Sequence, residues 1–207
     1  MLVNHRYKFL FVHIPKTAGG TVRAFNRKRL ARWYSKGWEE LGAAHSPLTR
    51  EIATRYADYF KFAVLRNPWK LVASGYRFAT QGISRNKKTG QVRQREITML
   101  DWLIELKPDH RSDPFPWPFP CQMDYVSDTE GVLVDRICHH ERLAEDMRSV
   151  LAELGIPYHG EDWEQPTRHF YGKYDWKDCF RDPATRDKVR ELCQKDFAFH
   201  EWDADFA

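Results

Sequence analysis

Residues 8–22 read Lys-Phe-Leu-Phe-Val-His-Ile-Pro-Lys-Thr-Ala-Gly-Gly-Thr-Val. The apolar and β-branched run from Phe9 to Ile14 predicts a buried strand, and Pro15, which has no N–H to give a ladder, ends it. Lys16 therefore stands at the carboxyl end of that strand. The small residues Thr17, Ala18, Gly19, Gly20 and Thr21 lead from it into a helix-forming stretch. A lysine and a ring of backbone N–H groups thus meet where a strand hands over to a helix, a geometry that binds phosphate. The order differs from the Walker loop, G-x-x-x-x-G-K-[ST], in which glycines precede the lysine and the last hydroxyl holds Mg²⁺. Here Lys16 precedes its glycines, which argues against a Mg²⁺-nucleoside triphosphate site.

The same architecture recurs downstream. Residues 60–66, Phe-Lys-Phe-Ala-Val-Leu-Arg, predict a second apolar strand ending in Arg66-Asn67-Pro68, and Trp69 to Thr80 carries a helical pattern with Pro68 at its start. Strand, cation-bearing turn and helix repeated in this way are the rhythm of an α/β fold with a central parallel sheet, which binds ligands at the carboxyl ends of its strands. Two such ends can hold two anionic groups.

The chain of 207 residues suits one domain, 1–207, with room for a substantial core. A net charge of +4 favours a small anionic ligand and falls short of the basic balance of a dedicated nucleic-acid binder. The four cysteines form no CxxC pair, and the apolar run Phe9 to Ile14 is far too short for a signal peptide or a membrane span, so the expectation is a reduced, cytoplasmic protein.

Residues 21–35 predict a helix with one basic side, read as a solvated face. A short helix from Leu48 to Tyr59 is expected to start at Pro47 with Ser46 as its cap, leaving His45 just ahead of it. Residues 81–95 are polar, basic and glycine-punctuated, and read as a loop whose cations, Arg85, Lys87 and Lys88 among them, could meet an acidic acceptor. A helix is expected from Glu96 to Leu106, and the prolines between Pro108 and Pro120 break regular structure. Val132 to Cys138 predicts a third strand, Glu141 to Leu154 a helix and Pro183 to Phe197 a last helix. Between the third strand and its helix, Cys138-His139-His140-Glu141 lacks the helical H-E-x-x-H spacing, and no metal site is expected.

With both cationic turns in view, the chain resembles the PAPS-dependent sulfotransferases, in particular the family of carbohydrate O-sulfotransferases and related bacterial proteins. His13-Ile-Pro-Lys-Thr-Ala-Gly-Gly-Thr21 looks like that family's 5′-phosphosulfate loop, and Arg66-Asn-Pro-x₅-Ser74-x-Tyr76 like its 3′-phosphate motif. Weaker similarity runs through Gln122-Met-Asp-Tyr125 and Val134-Asp-x-Ile137 to Glu141-x-Leu143 and the aromatic C-terminus. Lys70-Leu71 stands where the family often has Asp-Arg, and His139 where an arginine is common. The resemblance implies a P-loop-NTPase-like central parallel sheet flanked by helices, PAPS as sulfuryl donor, a carbohydrate such as a glycan or glycolipid as acceptor, and a soluble prokaryotic-type enzyme.

In that setting Lys16 can neutralise the departing 5′-phosphate, supported by N–H groups from Ala18 to Thr21 and the hydroxyls of Thr17 and Thr21. Arg66 presents a planar fork to the 3′-phosphate and Ser74 adds a hydroxyl. The base is expected to be His45, twenty-one residues before Arg66, where resembling glycan 2-O-sulfotransferases carry a catalytic histidine. His110, Glu141 and His13 stand behind it, His13 packing within its strand. His110, Glu141, Arg85, Lys87 and Lys88 are candidates for the acceptor. Two other classes stay open: a nucleotide kinase-like phosphotransferase, and a non-catalytic nucleotide- or RNA-binding module using the same cations.

Overall fold

The computed structural model describes residues 1–30, 37–43, 45–81, 96–106, 121–163, 175–200 and 202. In chain order its strands are β1 (Leu2–Asn4), β2 (Phe9–Val12), β3 (Trp38–Glu40), β4 (Phe60–Leu65), β5 (Ser127–Asp128), β6 (Gly131–Val132) and β7 (Arg136–His139). Its α-helices are α1 (Gly19–Phe25), α2 (Arg50–Arg55), α3 (Pro68–Gln81), α4 (Met99–Glu105), α5 (Leu143–Glu153), α6 (Pro183–Leu192) and α7 (Gln194–Phe199). The chain divides into two compact units, Met1–Arg66 with Gln122–Pro166 and Asn67–Cys121 with Thr167–Ala207.

The first unit is built on a five-stranded sheet of order β3-β1-β2-β4-β7 among the described residues. The three strands β2, β4 and β7 are parallel, with Phe11 opposite Phe62 and Leu65 opposite His139. Two of them, β2 and β4, are the strands that the sequence marks by a cation just past the carboxyl end. The expected central parallel strands are extended on one side into a mixed sheet, because β1 runs antiparallel to both β2 and β3. Only four residues separate β1 from β2, a link that suits antiparallel neighbours and is far too short for a parallel crossover. All four residues of β2 are buried, and so are five of the six in β4, which is why these strands read as continuous apolar runs. Val22 and Phe25 of α1 and Met147, Val150 and Leu151 of α5 pack with Phe9, Phe11, Phe62 and Val64 into one core.

Several boundaries differ from expectation for local reasons. The helix after the first loop changes to a π-helical turn, Asn26–Leu30, where Asn26 is buried and its Oδ1 accepts from Asn4 Nδ2 at 2.8 Å. Its basic side is largely ion-paired: Arg23 with Glu40, and Lys28 and Arg29 with the buried carboxylate of Asp162 at 3.2 and 2.7 Å. Helix α2 is capped by Thr49, whose Oγ1 accepts from Ile52 N, and not by Ser46. The expected strand at 132–138 divides into β6, paired with β5, and β7. Asp135 turns the chain between them by accepting from Lys61 N at 2.7 Å and donating its own N–H to Lys61 O at 2.8 Å.

The second unit packs Trp69, Val72 and Ala73 of α3 with Met99, Trp102 and Leu103 of α4, and with Phe180, Val189 and Cys193. Asn67 heads α3, its Oδ1 accepting from Lys70 N. Thr98 caps α4, so this helix starts later than Glu96. The single C-terminal helix expected from Pro183 to Phe197 breaks at Cys193, which leaves helical geometry. Among the described residues no helix is long and apolar enough to cross a membrane.

Candidate active site

The loop after β2 is held in an unusual backbone shape. Lys16 and Ala18 both adopt left-handed conformations, with φ of 63° and 76°. Side-chain-bearing residues reach this region at a cost of roughly 1–2 kcal/mol each, and strain of this kind concentrates at binding and catalytic loops. Ala18 precedes the first residue of α1, so the chain passes from strand to helix within six residues and presents the helix's first N–H groups at the sheet's carboxyl edge. Two expected contacts are already committed inside the loop. The Thr17 hydroxyl is fully buried and donates its one proton to the carbonyl of Ile14 at 2.9 Å, so it fastens the turn from behind. The Thr21 N–H donates to Ala18 O at 2.8 Å and closes the first turn. Gly19 and Gly20 are left to offer the donors, and a Cβ added at Gly20 would meet only open space.

Arg66, one residue beyond β4, reaches back to this loop: its Nη1 donates to the carbonyl of Lys16 at 3.1 Å. Burial and then the Arg66 guanidinium push the Lys16 ammonium down to about 8. Two cations whose charges raise each other's energy are stabilised by an anion placed between them. The backbone of Arg66 is itself gripped by Gln122, whose side chain is fully buried. Gln122 Oε1 accepts from Arg66 N at 2.7 Å, and Nε2 donates to Arg66 O at 2.8 Å. The sequence gives no local signal for this contact across 56 positions.

His45 and His13 form a second element beside the loop. Their ring centroids lie 4.3 Å apart, and His45 Nδ1 is 3.1 Å from the carbonyl oxygen of His13. A carbonyl can only accept, so Nδ1 carries the proton and the lone pair of His45 resides on Nε2. Burial lowers the His45 pKa, which keeps the ring neutral and basic at pH 7. The His13 pKa falls to about 3 through burial and the nearby charges of His45 and Arg23, so His13 is a neutral packing group. Its ring lies against Gly19, where an added Cβ would overlap the imidazole. Glycine at 19 is thus required by close approach. Gly19→Ala is expected to destabilise the protein by about 1–3 kcal/mol, as overpacking does, and His13→Ala in the same chain should recover part of that loss. Urea unfolding of the two single variants and the double variant checks this.

The remaining candidates are dispersed. Glu141 is exposed on the 3₁₀ turn His140–Arg142 that follows β7, at the same edge of the sheet as Arg66. His139 is tied to Asp146, which accepts its backbone N–H at 2.6 Å and pairs with Arg142 at 3.1 Å. The Cys138 thiol is buried and pushed up to about 12. Among the described residues no group of three or more His, Cys, Asp and Glu is placed to hold a metal. Ser74 is half-buried on α3, in the second unit. His110, Arg85, Lys87 and Lys88 lie outside the described residues.

The model of the Sulfotransferase family matches residues 1–203. Carbohydrate sulfotransferase 14 of Danio rerio is 24% identical over 216 residues, covering 83% of this chain and 55% of the relative. The chain thus spans about half the length of the curated relative it matches. No solved structure matches it significantly.

Proposed function

The chain belongs to the sulfotransferase family, and from that premise we propose that it transfers a sulfuryl group from PAPS to a carbohydrate hydroxyl by in-line displacement without a metal, releasing PAP. The observation that carries this reading is the approach of Lys16 and Arg66 at the ends of adjacent parallel strands, where the guanidinium bonds the lysine's carbonyl and its charge depresses the lysine's pKa. A donor bearing both a 5′-phosphosulfate and a 3′-phosphate fits two cations held by separate strand ends.

PAPS, when bound, supplies the sulfuryl group and a phosphate leaving group. Lys16 and the N–H groups at the head of α1 stabilise the charge that develops at that phosphate. Arg66 presents its fork to the 3′-phosphate. His45, with its lone pair on Nε2, takes the proton of the attacking hydroxyl. Glu141, at the same sheet edge, is available to orient the acceptor. The order of Lys16 and its glycines, together with the family match over residues 1–203, favours sulfuryl transfer over the kinase reading.

The test is transfer of labelled sulfate from PAPS to a panel of desulfated glycosaminoglycans in EDTA. Incorporation into one glycan with equimolar PAP release is the expected result, and PAP release without incorporation would exclude the sugar as acceptor. Arg66→Ala should weaken PAP binding about 10- to 100-fold while leaving adenosine 5′-phosphate binding nearly unchanged, as expected for loss of a charge-assisted phosphate contact. Calorimetry with both ligands reads the difference.

A further inference from the structure

Gln122 makes two hydrogen bonds to the backbone of one residue, and that residue is Arg66. The β4–β7 ladder ends at the pair Leu65 and His139, so the peptide groups of Arg66 lie just past the last ladder step. The amide of Gln122 fills that step: Oε1 takes the Arg66 N–H at 2.7 Å and Nε2 gives to the Arg66 carbonyl at 2.8 Å. A primary amide is the one side-chain group that offers a donor and an acceptor at the spacing of a neighbouring peptide. Gln122 is fully buried and opens a one-turn 3₁₀ helix, Gln122–Tyr125, whose Met123 and Tyr125 are also buried, so the grip is mounted on packed structure. The guanidinium at the far end of the same residue bonds the Lys16 carbonyl at 3.1 Å. Arg66 is thus held at its backbone by Gln122 and at its guanidinium by the Lys16 carbonyl, which together limit where its fork can point.

We infer that Gln122 is a positioning residue that sets the preference for a 3′-phosphate by holding Arg66 in register with the Lys16 loop. This rests on the reading of the Lys16 and Arg66 site given above. With its side chain buried and its amide bonded to the Arg66 backbone, Gln122 acts on the site through Arg66. Shape alone would hold the fold with methionine at this position, since methionine matches glutamine in length and branching but offers neither hydrogen bond to the peptide.

The experiment is calorimetric titration in EDTA with PAP and with adenosine 5′-phosphate, on wild type, Gln122→Met, Arg66→Ala and the double variant, each with its thermal midpoint. Gln122→Met is expected to lose about tenfold in PAP affinity with adenosine 5′-phosphate affinity unchanged, and to add nothing in the Arg66→Ala background, the signature of two residues acting as one unit. Equal losses for both nucleotides, or losses that add across the two substitutions, would overturn the inference. Should Gln122→Met not fold, Gln122→Glu keeps the length and the acceptor but loses the donor to the Arg66 carbonyl, and the same selective loss of PAP affinity is expected. If wild type prefers PAP and Arg66→Ala abolishes the preference while the Gln122 variants retain it, this inference alone fails. If wild type shows no preference for PAP, the donor assignment fails and this inference with it.

Discussion

Lys16→Ala is expected to lower kcat for sulfuryl transfer about 10²- to 10³-fold, the range seen when one preorganised oxyanion donor is removed, or ~3–4 kcal/mol of transition-state stabilisation. The effect should fall mainly on kcat, because charge on the departing phosphate grows only as the S–O bond breaks. Initial rates at saturating PAPS give the number, and an unchanged thermal midpoint separates it from misfolding. A pH signature accompanies it. In the proposed mechanism Lys16 acts as the ammonium, and burial with the Arg66 charge brings its pKa down to about 8. In wild type, kcat/KM should therefore fall as pH rises through about 8, since deprotonation removes the cation from the free enzyme. Arg66→Ala removes one of the influences that depress this pKa, so the alkaline limb should move to higher pH. A limb that stays in place would detach it from Lys16.

His45→Ala is expected to lower kcat about 10²- to 10⁴-fold, the contribution of a positioned general base. The hydrogen bond from Nδ1 to the His13 carbonyl leaves Nε2 as the proton acceptor. Because the His45 pKa lies below the usual histidine value of about 6.5, the base form persists as pH drops through the ordinary histidine range. The acid limb of kcat/KM should accordingly fall below pH 6.5 and disappear in the variant. A loss of less than tenfold would take His45 out of the role and turn attention to Glu141.

The parts of this site that follow chain-local rules were legible in the sequence. Pro15 and Pro68 punctuate two apolar strands, and the cations just after those strands sit together at the carboxyl edge of the sheet. The parallel trio β2, β4 and β7 follows from that rhythm. The antiparallel pair β1 and β3 did not, because three residues are too few to show an alternating pattern. The direction of the Thr17 hydroxyl depends on the left-handed turns at Lys16 and Ala18, which in side-chain-bearing residues leave no compositional trace. The need for glycine at 19 comes from the His13 ring, and the tautomer of His45 from the carbonyl of His13. These are contacts in space between a strand, a helix start and a loop. Gln122 is the furthest case: its stretch Gln122–Tyr125 carries part of the resemblance, but nothing in it announces that the side chain completes a ladder step at a strand end 56 positions away.

The most direct measurement is titration of the wild-type protein with PAP in EDTA, beside adenosine 5′-phosphate. Saturable, metal-free binding of PAP, tighter than binding of the nucleotide lacking the 3′-phosphate, is the expected result if Lys16 and Arg66 each take one anionic group as proposed. A folded protein that binds neither nucleotide, or binds both equally, would contradict the assignment of this cation pair to the sulfuryl donor.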